Sequence, residues 1–225
     1  MINNKKLLAA LGIFTLWLYG AWAVFEMLLN PMLKEATDNE YILLLLRDGV
    51  IKNLVWTLPA VLLIKHFSDD MLVGMRELFG FKKAASKYLL IALPLAAFVL
   101  LGELIRTHTI EVSSAYHPSQ FIVILFVGFT EEIVFRGLYL NAAMKYADTN
   151  KKQYLAAGLN SLMFLAIHFP KWIMEGVFVN GFARFGFVTI IALSLLFSFC
   201  FVRSRNIWVP AVLHSFYDMM IFVLV

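Results

Sequence analysis

Charge is scarce in this sequence. Asp, Glu, Lys and Arg make up 15% of its 225 residues, against about 25% in an ordinary soluble domain. So few charges cannot cover a water-soluble fold of this size, and that class is excluded. Cysteine is nearly absent. Cys200 stands alone, so no internal disulfide can form, and its apolar setting marks it as a small core or lipid-facing residue. Internal repeats, low-complexity tracts and polar linkers are lacking too, which leaves one integral domain. The basic excess is small, a formal net charge of +4. Its Lys and Arg fall between apolar runs rather than along one stripe, so no nucleic-acid partner is expected.

What is abundant is apolar surface. Hydrophobic residues are 61% of the chain, and the mean hydropathy is +0.80. A helix crosses a bilayer in about 20 residues and satisfies its own backbone hydrogen bonds there. Runs of this kind lie near 7–29, 44–65, 88–105, 119–145, 153–169, 184–202 and 206–225. The sequence therefore predicts an all-α, polytopic transmembrane helical bundle of about seven spans, with membrane lipid as its main partner. The first run follows Lys5 and Lys6 as a signal peptide would. It is longer than the roughly 7–15 residues of a signal core and has no clear cleavage site, so it reads as a transmembrane helix.

Arg47, Asp48 and Lys52 interrupt the second run, where an interfacial turn is expected. Pro59 and Pro94 are expected to kink the second and third spans. Residues 1–118 hold the N-terminal helices and a cytoplasmic, partly amphipathic loop over 66–87. In that loop, residues 71–75 and 78–81 are expected to lie along the membrane surface. Residues 119–225 carry the polar motifs. A cytoplasmic N-terminus puts twelve Lys and Arg on the inner side and four (Lys34, Arg106, Lys171 and Arg184) on the outer side. That bias predicts a cell-membrane protein with its N-terminus inside and its C-terminus outside.

The fourth span carries Glu131, Glu132 and Arg136 after ten uncharged residues. An ionisable group near the bilayer centre costs at least about 2.5–3.5 kcal/mol. Arg136 lies four residues after Glu132, on the same helical face, and can pair with it. Glu131 points about 100° away and is left for other work, as a general base or acid. A structural ion-pair network or a proton relay would use the same spacing. The fifth span ends Phe164-Leu-Ala-Ile-His168, and the seventh contains His214-Ser-Phe-Tyr-Asp218, each pair at i and i+4. The second pair can fix a histidine tautomer or offer two metal ligands. His66, His108 and His117 fall in predicted loops and read as solvated. Three apolar spans each bearing polar groups are most economically explained by one shared interior cavity. There a carboxylate could take a proton from water and a histidine could steady an oxyanion. Counting about 1.5 Å per residue from the span ends, however, sets His168 and His214 at different depths. A tilt, a re-entrant segment after Pro170 or a shifted boundary would reconcile them.

The ordered trio EExxxR, FxxxH and HxxxD, each in its own hydrophobic span, resembles the CPBP family of intramembrane proteases. These are the CAAX-processing and bacteriocin-processing enzymes, also called the Abi family. The resemblance covers about residues 119–220. It implies an intramembrane endopeptidase acting on a small membrane-associated or lipidated peptide. It further implies that Glu131 and His168 activate water, while His214 and Asp218 stabilise the oxyanion. Glu132, Arg136 and Phe164 would be supports. An Asp at 218, where the CAAX enzymes resemble an Asn pattern, cannot donate a hydrogen bond unless protonated, so it would orient His214 or join a metal site. Zinc held by Glu131, His168, His214 and Asp218 is conceivable. No H-E-x-x-H motif is present, which favours a glutamate-type enzyme without a cofactor. Two other classes compete: a non-catalytic bacteriocin-immunity or membrane-binding protein, and a proton-coupled transporter. The absence of inverted repeats counts against the latter.

Overall fold

The computed structural model describes residues 4–80, 82–183 and 186–224. Among them all regular structure is helical. Helix α1 (Lys5–Ala36) begins where the Asn4 side chain accepts from the backbone N–H of Lys6 and Leu7, at 3.0 and 3.2 Å. These satisfy two of the N–H groups that a helix start leaves unpaired. Its buried positions Leu7, Leu11, Phe14, Leu18, Trp22 and Phe25 recur every three or four residues, forming one inward stripe. Ile13 and Leu16 on the other side are 70% and 78% exposed. An apolar outer face of this extent suits lipid rather than water.

Helix α2 (40–66) runs unbroken through Arg47, Asp48 and Lys52. The expected interfacial turn is absent. Instead the helix widens into π turns over Leu45–Ile51 and Asn53–Thr57, and both Asp48 and Lys52 are buried. Pro59 follows the second π turn, and the Val55 carbonyl, four residues earlier, which its missing N–H cannot serve, accepts instead from Trp17 Nε1 at 3.1 Å. After α2 comes a short helix, α3 (Met75–Phe79). Helix α4 (Lys83–Thr107) opens as a 3-10 helix and turns α-helical at Ala92, just before Pro94.

The apolar residues of the 66–87 connection turn inward rather than outward. Met71, Val73 and Leu78 are buried in the main apolar core, while Phe81 lies outside the described residues. Two polar side chains turn this segment inward. Asn141 accepts from the Val73 N–H at 2.8 Å and donates to the Val73 carbonyl at 2.9 Å. Asn206 donates to the Gly80 carbonyl at 2.6 Å. With its backbone satisfied by partners in the bundle, the loop can bury its apolar side chains.

Helix α5 (120–145) follows, then α6 (Asn150–Ala166), capped by the Thr149 hydroxyl. Two short helices come next, α7 (Phe169–Met174) and α8 (Phe178–Ala183). Helices α9 (Gly186–Ser204) and α10 (Trp208–Leu224) complete the bundle. Arg184, assigned to the outer side above, lies outside the described residues. By length and composition α1, α4 and α9 can each cross a membrane. The protein is a membrane protein. Helices α2 and α5 are long as well, but each carries three charged residues mid-length: Arg47, Asp48 and Lys52 in one, Glu131, Glu132 and Arg136 in the other.

Helix α10 packs along α5 and also touches α4, while α9 packs on α6. The α5–α10 approach is set by Gly128. A Cβ there would sit 2.8 Å from the Ser215 backbone nitrogen and 3.2 Å from the Ala211 carbonyl oxygen. Helix α1 is tied to the rest: Tyr19 donates to the Met163 carbonyl at 2.6 Å, and Trp17 to the Val55 carbonyl at 3.1 Å. One apolar core thus runs from Leu7 to Ile207. Gly128→Ala is expected to push α10 away from α5 and to lower stability by about 1–3 kcal/mol, the usual cost of overpacking. Thermal unfolding in detergent against the unsubstituted protein checks this; an unchanged midpoint would remove Gly128 as the determinant of that packing.

Candidate active site

Three of the four π turns among the described residues border one interior space, and the fourth begins two residues after Glu131, which lines it. Phe25–Leu29 holds Glu26, Leu45–Ile51 holds Arg47 and Asp48, Asn53–Thr57 holds Trp56, and Ile133–Leu140 begins directly after Glu132. Such widened turns re-aim side chains and recur at functional sites. The space is a cavity of about 170 Å³, and Glu131, His168, His214 and Asp218 all line it. Helix α5 supplies the glutamate, the turn after α6 supplies His168, and α10 supplies the other two. Both histidines reach this one cavity: α6 ends at Ala166, and His168 sits in the turn between it and α7.

Glu132, Arg136 and Phe164 stand behind the cavity. Arg136 Nη1 donates to Glu132 Oε1 at 2.9 Å, and its Nη2 donates to the Ser194 carbonyl and hydroxyl at 2.9 and 2.7 Å. Both ionic side chains have no exposure to solvent. The same Glu132 Oε1 lies 2.9 Å from His214 Nδ1. A carboxylate only accepts, so Nδ1 is the donor and Nε2 is turned to the cavity. Glu132 therefore orients His214. Asp218, a candidate for that task from its spacing, keeps its Oδ2 3.8 Å from Nε2, and Glu131 Oε2 lies 3.9 Å from the same nitrogen. Both distances are too long for hydrogen bonds. His168 Nδ1 lies 2.8 Å from the Phe164 carbonyl, to which it can only donate, and its Nε2 is left for the cavity. The Phe164 ring is touched by Arg136, His168 and His214, with centroid distances of 4.8, 5.1 and 5.9 Å.

These geometries were met by the family comparison. Residues 113–220, just under half of the chain, match the family model described as Type II CAAX prenyl endopeptidase Rce1-like. Over this segment the chain is similar to the CAAX protease family. The match supports a protease, and helices long and apolar enough to cross a membrane agree with it. No curated protein and no solved structure matches the chain.

One member of the site comes from outside the family segment. Lys52 of α2 donates to Glu131 Oε1 at 2.6 Å, with both side chains buried. Sequence reasoning passed over it as an interruption of the second span. Its signal was the one that found Glu131: a charge placed where lipid penalises it must face a partner inside the bundle. Among the described residues no three His, Cys, Asp or Glu side chains converge as metal ligands.

Arg136→Ala leaves Glu132 buried with one cationic partner removed. The expected loss is about 3–5 kcal/mol, as for breaking other buried ion pairs. The double variant Arg136→Ala/Glu132→Gln should recover part of it. Unfolding measurements on both check this; equal loss in single and double variants would mean that the charge pairing is not the source.

Proposed function

We propose that this chain is an intramembrane endopeptidase of the CAAX type, cleaving a peptide bond in a small membrane-associated, prenylated peptide. The observation that carries the reading is the convergence of Glu131, His168, His214 and Asp218 on one cavity within a segment that matches an endopeptidase family. Glu131 Oε2 is the base. It takes a proton from water as the water oxygen attacks the scissile carbonyl carbon. His168 holds that water through Nε2, since its Nδ1 is committed to Phe164. His214, with a proton on Nε2, donates to the oxyanion that forms. Asp218 stands across from Nε2 and balances the charge of His214. When the carbon–nitrogen bond breaks, the proton held by Glu131 passes to the leaving amine. No cofactor takes part. We also assign the chain to the cell membrane, with seven crossings and a cytoplasmic N-terminus, on the distribution of Lys and Arg between the spans.

Glu131→Ala and His168→Ala are expected to lose at least about a hundredfold in cleavage of a prenylated CAAX peptide, the scale of a general base; Glu131→Ala also strands the buried Lys52, so Glu131→Gln, whose amide oxygen still accepts from Lys52, is the variant expected to lose cleavage and stay folded. Full cleavage by both variants would sink the assignment and favour a binding or immunity role. Elemental analysis of active protein tests the metal-free mechanism independently, because stoichiometric zinc that tracks activity would overturn it.

A further inference from the structure

Lys52 has no counterpart in the motifs of residues 113–220, yet it makes a short contact with the residue assigned as the base. Its surroundings are built rather than incidental. The side chain is 4% exposed. It enters between two π turns of α2, and its Nζ stands 4.6 Å from the Trp56 ring centroid and 5.5 Å from that of Trp22. Ring faces attract a desolvated ammonium, and they hold it from sides that carry no competing carboxylate. The other acids lining the cavity on this side are engaged elsewhere. Asp48 accepts from Arg47 at 2.7 Å, and Glu26 accepts from Asn30 at 2.8 Å. The ammonium is thereby directed to Glu131.

The contact is also selective within the carboxylate. Lys52 takes Oε1 at 2.6 Å, while Oε2 is the oxygen turned toward His214. A carboxylate on a flexible side chain can rotate and present either oxygen. One whose Oε1 is clamped presents only Oε2.

We propose that Lys52 is a positioning residue of the active site, supplied by the N-terminal helices, which clamps Glu131 Oε1 so that Oε2 alone meets the water. The inference rests on the endopeptidase reading above. It gives the segment outside the family match a direct part in the chemistry, because residues 113–220 by themselves lack this clamp. Trp22 and Trp56 hold the ammonium in place, and α1 and α2 are therefore parts of the site as well as of the scaffold.

The test compares Lys52→Met, Lys52→Ala and Lys52→Arg in the full chain, assayed on the prenylated CAAX peptide, with folding followed by thermal unfolding. Lys52→Met keeps the packing against the two tryptophans and removes the charge. It is expected to lower kcat about 10- to 100-fold, the cost of misplacing a reacting group, with KM changed by less than about twofold, because substrate binding is not its task. Lys52→Arg should retain a larger share of kcat than Lys52→Met. In Lys52→Ala, added propylammonium should restore cleavage in a saturable manner, and it should not restore Glu131→Gln. A packing role would show none of that rescue. Unaltered kcat in Lys52→Met would overturn the clamp while leaving the endopeptidase reading intact, since Glu131→Ala would still be inactive. Loss in all three variants with no propylammonium rescue would also overturn it, assigning Lys52 to stability. If the unsubstituted protein cleaves no such peptide, both the inference and the reading it rests on fall together.

Discussion

A single oxygen, Glu132 Oε1, is shared by Arg136 and His214, at 2.9 Å from each. The catalytic geometry proposed here depends on that sharing. Arg136 reaches from Glu132 to Ser194 on α9, and His214 sits on α10, so three helices are fixed to one buried charge. Two charges taken out of water repay their desolvation only when the geometry is good and the remaining hydrogen bonds are met; here Glu132 Oε2 and Arg136 Nε are buried without a hydrogen-bond partner, so the pair serves to fix geometry more than to add stability. Phe164 and Phe197 close the space around the guanidinium. The result is a buried back wall to the cavity. In front of it His214 has one ring nitrogen occupied and the other presented to the cavity.

Gly128 belongs to the same arrangement. It lies one turn before Glu131 and Glu132, and α10 approaches it through the backbone of Ala211 and Ser215. His214 is the neighbour of Ser215, so the closeness permitted by a missing Cβ at 128 is what lets Nδ1 reach Glu132. Packing and electrostatics are thus coupled along one helix pair.

Much of this was legible in the chain. The penalty for charge among apolar residues singles out Glu131, Glu132 and Arg136, and the helical repeat assigns Arg136 to Glu132 rather than to Glu131. Both facts are local, and local periodicity survives folding. The loop over 66–87 was less legible. Its alternating apolar residues suit a membrane surface as well as a protein interior, and only Asn141 and Asn206, far away in sequence, decide for the interior. Lys52 was legible as a cost but not as a partner, since nothing in its neighbourhood names a residue 79 positions away.

By itself the sequence determined that the protein is helical, lives in lipid, and must hide a few charges from it, because composition and spacing fix solvent preference and helix face. The trio of motifs pointed to the family that residues 113–220 match. The tertiary structure alone decided which charge meets which. It gave Glu132 rather than Asp218 to His214 Nδ1, gave Lys52 to Glu131, and brought His168 and His214 to one cavity. Those outcomes depend on distances between separate helices, and such distances follow from how side chains pack against one another, not from their order along the chain.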